Sequence, residues 1–168
     1  MANGVADSLI AYLSNERLSL PTALAVEDLA DQVEARLTAH EGATINLYFG
    51  NMAGQVLYAV SLYPERSVVI PGRAVTKDLL RRFVKDNRDL LTDPRNSIGI
   101  WYSEALNAVY LDVSAALPGR SEAISLGEWS NQEAVYDLAE DEVIDTGGSG
   151  EQRGGWVEET QRLPPLGR

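Results

Sequence analysis

At 168 residues, 45% of them hydrophobic, the chain is long enough for one core of roughly 100–150 residues plus a tail. It has no cysteine, which excludes disulfides, thiolate nucleophiles and sulfur-ligated zinc or iron–sulfur sites, and its single histidine, His40, has no second imidazole with which to cluster on a metal. A net charge of −11 sets the chain against phosphates and anionic surfaces, so direct nucleic-acid and membrane binding are disfavoured.

In chain order, Val5, Leu9, Ile10 and Leu13 recur at helical spacing over residues 5–17, and Leu18 to Pro21 breaks the run. A second helix is expected from Val26 to Ala39, with Val26, Leu29, Ala30, Val33 and Leu37 on one face and Glu27, Asp28 and Asp31 in its first turns, where the dipole favours acids. From Thr44 the period changes to 2. Thr44 to Phe49 and Gln55 to Leu62 flank a loop containing Gly50 and Gly54 and are expected to pair as a hairpin. Val68 to Ile70 reads as a short strand ended by Pro71-Gly72.

Thr76 is an N-cap candidate for one continuous helix to Leu91, whose apolar arc is Leu79, Leu80, Phe83, Val84, Leu90 and Leu91. Two aromatic and β-branched runs, Ile98 to Tyr102 and Val109 to Ser114, form a second hairpin across Ser103 to Ala108. Ser121 is an N-cap candidate for a helix through Ser130, and Ala134 to Leu138 is the last expected strand. Beyond it the chain turns acidic, then glycine-rich, with too few large apolar groups to offset the entropy of ordering.

Chemistry-bearing residues are sparse. Arg66, Arg73, Lys77, Arg81, Arg82, Lys85, Arg88 and Arg95 crowd into one stretch beside Asp78, Asp86, Asp89 and Asp93, a positive island in a negative molecule. On a continuous helix Lys77, Arg81, Lys85 and Arg88 share one side opposite the leucines, where they fit an anion or an acidic partner; equally, Asp78 to Arg82 and Lys85 to Asp89 have the spacing of solvated ion pairs. His40, at a helix C-terminus and with no Gly-x-Ser-x-Gly nucleophile to serve, reads as a cap. Neither Gly50 to Gly54 nor Gly147 to Gly150 has the spacing of a phosphate loop. Asp112 and Asp137 sit inside strand-like runs, where paired carboxylates would support hydrolysis and isolated ones simply face solvent. Trp101, Tyr102, Tyr110, Trp129 and Tyr136 gather around the second hairpin, where they fit the core and rim of the sheet or an anchor for a partner; Trp101 or Tyr102 is the candidate for exposure, because strand neighbours point to opposite faces.

Tyr58-Ala59-Val60-Ser61, Tyr63-Pro64-Glu65-Arg66, Tyr110-Leu111-Asp112-Val113-Ser114, Asn131-Gln132, Tyr136-Asp137-Leu138 and Thr146-Gly147-Gly148 resemble, in order and spacing, a family of uncharacterised bacterial proteins that includes phage and mobile-element members. The resemblance spans residues 58–148 and brings no activity with it. It adds Asn131 and Gln132, which precede the last strand, as positions of interest.

The expected architecture is a single α+β domain over residues 1–145. Its helical N-terminal part (1–42) carries two helices, and its hairpin-based antiparallel sheet has five to six strands with the Thr76 and Ser121 helices on one face; residues 146–168 follow as a flexible, Gly-rich acidic tail. With no signal-peptide pattern, no apolar run near roughly 18 residues and no Asn-x-Ser/Thr acceptor, the expected location is the cytoplasm. The expected function is a non-enzymatic protein-interaction module, without cofactor or metal. Its partner is another protein, met through Lys77, Arg81, Lys85, Arg88, Trp101, Tyr102, Asn131 or Gln132; a phage or mobile-element association follows from the resemblance alone. Two rivals stand beside it: an acidic DNA mimic that inhibits a nucleic-acid enzyme, and a hydrolase or transferase built on Asp112, Asp137 and a basic residue such as Arg66.

Overall fold

The computed structural model describes residues 22–39 and 42–150. The expected helix over residues 5–17, His40 and the tail beyond 150 lie outside the described residues.

Helix α1 (Val26–Ala39) buries Leu29, Ala30, Val33 and Leu37, the arc expected from its period. It leads into β1 (Gly42–Asn46), which turns tightly into the two-residue strand β2 (Gly50–Asn51). The buried Asn46 shapes that turn. Its Oδ1 accepts from the Tyr48 and Phe49 N–H groups at 2.9 and 3.2 Å, so these aromatics sit in the turn rather than in a strand.

The expected hairpin between Thr44–Phe49 and Gln55–Leu62 is not formed. Strand β3 (Tyr58–Ser61) pairs with β6 (Ala108–Leu117) and β7 (Ala134–Asp137), and lies apart from β1 with β5 (Asn96–Ser103) and β6 between them. Periodicity announces a strand but not its neighbour.

Among the described residues the sheet has eight strands rather than five or six, in the order β2-β1-β5-β6-β3-β7-β8, with β4 (Val68–Pro71) beside β6 and β8 (Glu142–Asp145) at the far end of that order. Every pairing is antiparallel. The second hairpin forms as expected: β5 and β6 pair from Asn96↔Ala115 to Ser103↔Ala108. The other edge of β6 is shared. Its C-terminal half pairs with β3 and its N-terminal half with β4, and the 3₁₀ turn Pro64–Arg66 lies between those two strands.

Helices α2 (Lys77–Asp86), α3 (Arg88–Leu91) and α4 (Arg120–Trp129) complete the fold. Thr76 caps α2, its hydroxyl accepting from Leu79 N–H at 3.2 Å. The single helix expected to run to Leu91 is broken at Asn87, a buried residue at φ −111°, ψ 19° whose side-chain amide donates to the Phe83 carbonyl at 2.9 Å. Gly119, not Ser121, occupies the N-cap of α4.

Helices α1 to α4 contribute to one apolar cluster with Ile45, Ile98, Ile100, Val109, Leu111, Val113 and Ala115, alternate residues from the same sheet face. A smaller cluster of Met52, Leu57, Ala59, Ala116 and Leu138 occupies part of the opposite face. Among the described residues no helix is long and apolar enough to cross a membrane.

Candidate functional site

Cross-strand partners in an antiparallel sheet project to the same side. Val69 pairs with Tyr110, Tyr110 with Trp101, and Trp101 with Gly42, so these residues form one row across β4, β6, β5 and β1 on the face away from the main core. The Trp101 and Tyr110 rings lie with centroids 5.5 Å apart. Trp101 is 48% exposed, Val69 52%, and Leu106, in the turn joining β5 to β6, 64%. Gly42 adds no side chain at the end of the row. Close approach of the neighbouring strand explains that glycine: a Cβ would stand 2.9 Å from the Ile100 carbonyl oxygen.

The next row on this face is polar: Asp112 pairs with Gly99, and Gly99 with Thr44. Asp112 lies opposite the interruption between β3 and β4, where the Ser67 hydroxyl donates a hydrogen bond to its carboxylate. Burial pushes the Asp112 carboxyl above the ordinary Asp range, and the Ser67 bond works against that rise. One row further, Ser61 pairs with Ser114 and Ser114 with Ser97, whose hydroxyl accepts from the Asn46 amide at 3.1 Å. The face therefore grades from aromatic, through polar, to the small Met52–Leu57 cluster.

Trp101 is thus on the open face and Tyr102 on the helical one. Tyr102 packs against the main core, its hydroxyl bonded to Asn107 Oδ1 at 3.0 Å and the Arg73 guanidinium stacked 4.3 Å from its ring centre. Asp112 and Asp137 do not converge. Asp137 is in register with Tyr58, which pairs with Leu117, five positions along β6 from Asp112. An odd separation puts the two carboxylates on opposite faces, and five strand residues alone span about 16 Å. Asp137 instead shapes the β7–β8 turn, accepting from Ala139 and Glu140 N–H at 3.0 and 3.1 Å.

The basic residues separate at Asn87. Lys77, Arg81 and Lys85 remain exposed on α2, while Arg88 belongs to α3. Arg81 is held by Asp78 at 2.6 Å and by Glu27 of α1 at 3.1 Å. Glu27 is lowered below its ordinary range by backbone hydrogen bonding and by Arg81. Arg66 is gripped at both nitrogens by Asp89, 3.1 and 2.8 Å away, which lowers Asp89 and raises Arg66.

Asn131 and Gln132 organise a turn. Asn131 has φ 56°, its amide nitrogen donates to Ser149 Oγ at 2.8 Å, and its side-chain oxygen accepts from Ser149 N–H at 3.2 Å. The Gln132 carbonyl accepts from Thr146 Oγ1 at 2.6 Å and Gly148 N–H at 3.1 Å, and the Asn131 carbonyl from Gly150 N–H at 3.0 Å. Residues 146–150, assigned by composition to the tail, thus continue the β7–β8 hairpin onto this turn.

Val69 and Leu106 were not singled out from the sequence. The signal for Val69 was Pro71, because proline within a sheet is confined to edges and the residues beside it are therefore candidates for exposure. Comparison with protein-family models, curated protein sequences and solved structures finds no match.

Proposed function

We propose that the chain is a protein-interaction module whose contact surface is the Val69–Tyr110–Trp101 row. The observation that carries this reading is the exposure of Trp101 and Val69 on a regular strand face, next to exposed Leu106, while helices pack against the other face. Large apolar groups gathered on an accessible face mark interaction sites, and Trp and Tyr are enriched among the residues that dominate binding energy. The basic face of α2 is the weaker surface, since Arg81 already has two acidic partners.

The test compares proteins retained from extracts of the cells that make this chain by immobilised wild type, Trp101→Ser and the double variant Lys77→Ala/Lys85→Ala. Circular dichroism establishes that each is folded. A set lost from Trp101→Ser and kept by the lysine variant is expected; a set retained equally by wild type and Trp101→Ser overturns the reading.

A further inference from the structure

Resting on that binding reading, the geometry points to the mode of recognition: we infer that β4 accepts an extended segment of the partner as a ninth strand, apolar in alternation and carrying an acidic residue near Arg73. The backbone sets this up. Gly72 N–H donates to the Asn107 carbonyl at 2.8 Å, which makes Gly72 and Asn107 a hydrogen-bonded pair. Bonded and non-bonded pairs alternate along an antiparallel ladder, so Ile70 and Val68 turn their polar groups toward β6 and Val69 turns its N–H and C=O outward. Among the described residues β6 is the only partner of β4. An exposed edge of this kind templates strand addition. The side chain at Val69 also starts the exposed aromatic row, so an added strand extends that row by one residue.

The edge is richer in acceptors than donors. Pro71 has no N–H, and Ser67 N–H is taken by the Pro64 carbonyl at 3.2 Å, so along this edge Val69 supplies the outward donor while the Val69 and Pro71 carbonyls both look outward. A second copy of β4, laid antiparallel about Val69, would set the Pro71 carbonyl against a Ser67 whose N–H is already used. A separate peptide, with all its N–H groups available, satisfies both carbonyls. Charge adds the remaining feature. Arg66, before the strand, is neutralised by Asp89, whereas exposed Arg73, after it, bonds the Leu37 carbonyl and stacks on Tyr102 but meets no carboxylate among the described residues. Exposed Lys77 follows.

The probe is a fluorescein-labelled, end-blocked peptide Asp-Thr-Val-Thr-Val-Thr-Asp, titrated by anisotropy against the full chain, beside a counterpart with lysines in place of the aspartates. Saturable binding is expected, weaker by about tenfold or more for the lysine peptide, for an aspartate peptide N-methylated on alternate amides, and for Val69→Pro. Proline on an outward-facing edge position removes the free donor without breaking the ladder to β6. Arg73→Gln narrows the preference for aspartate. If Val69→Pro misfolds, the N-methylated peptide on wild type decides the same point. Absence of saturable binding overturns the inference. So does binding unaffected by Val69→Pro and N-methylation but lost in Trp101→Ser, which leaves the face as a binding surface without strand addition. A wild-type dimer in light scattering that Val69→Pro converts to monomer overturns it in favour of a second copy.

Discussion

Asp112 shows at the residue scale how a half-buried acid is tolerated on the open face. Burial raises its carboxyl above the ordinary Asp value of 3.8, and the Ser67 hydroxyl is the compensating donor. A raised native value means that the folded state holds the proton more tightly than the unfolded one. The stabilising contribution is therefore complete below 3.8 and is lost as pH rises through the native value. Asp112→Asn keeps an acceptor for Ser67 and removes the titration, so its stability relative to wild type should improve as pH rises through that window. Urea unfolding of the two proteins at a series of pH values measures this, and a difference independent of pH contradicts it. Ser67→Ala leaves the carboxylate without its donor and should cost about 1–3 kcal/mol at neutral pH, and less in acid.

At the element scale, local pattern and long-range partnership separate cleanly. Helix α1, the Thr76 cap, the β5–β6 hairpin and β7 are where periodicity and turn chemistry place them. The break in the long helix at Asn87 was hidden because the leucine arc continues on both sides of it. Strand β8 was hidden because Glu142–Asp145 is mostly exposed and acidic, and its order comes from pairing with β7. The segments around Tyr58, Tyr110, Tyr136 and Thr146 come together as neighbouring strands and their closing turn, a relation that no local pattern carries.

Gly148 tests that turn. A Cβ there would lie 2.2 Å from the Gln132 carbonyl oxygen and 2.6 Å from the Asn131 backbone, which cannot move aside as a flexible side chain would. Gly148→Ala should release residues 146–150, at about 1–2 kcal/mol for the hydrogen bonds lost. The backbone amides of Gly150 and of the substituted position would then lose protection from hydrogen exchange. Gly119→Ala, whose Cβ meets only ordinary contacts at 3.5 Å, is the control. Retained protection in Gly148→Ala would show that the turn is held by other contacts.

Among the described residues, helices α1 to α4 pack against one face of the sheet, and the aromatic row lies open on the other. Of the 25 acids, Glu27, Asp78, Asp89, Asp93 and Asp141 are each drawn into ion pairs with arginines. The carboxylate-pair reading has lost its geometry, since Asp112 and Asp137 face apart. The open row proposed as the contact surface was only partly legible beforehand. Trp101 and its strand alternation were readable, but the neighbours that complete the row depend on cross-strand register. Site-specific photo-crosslinking in the cells that make the protein tests the claim most directly, with benzoylphenylalanine placed at Trp101 in one variant and at Lys85 in another. The account predicts discrete protein adducts from position 101 and none from position 85; adducts from position 85 alone would contradict it.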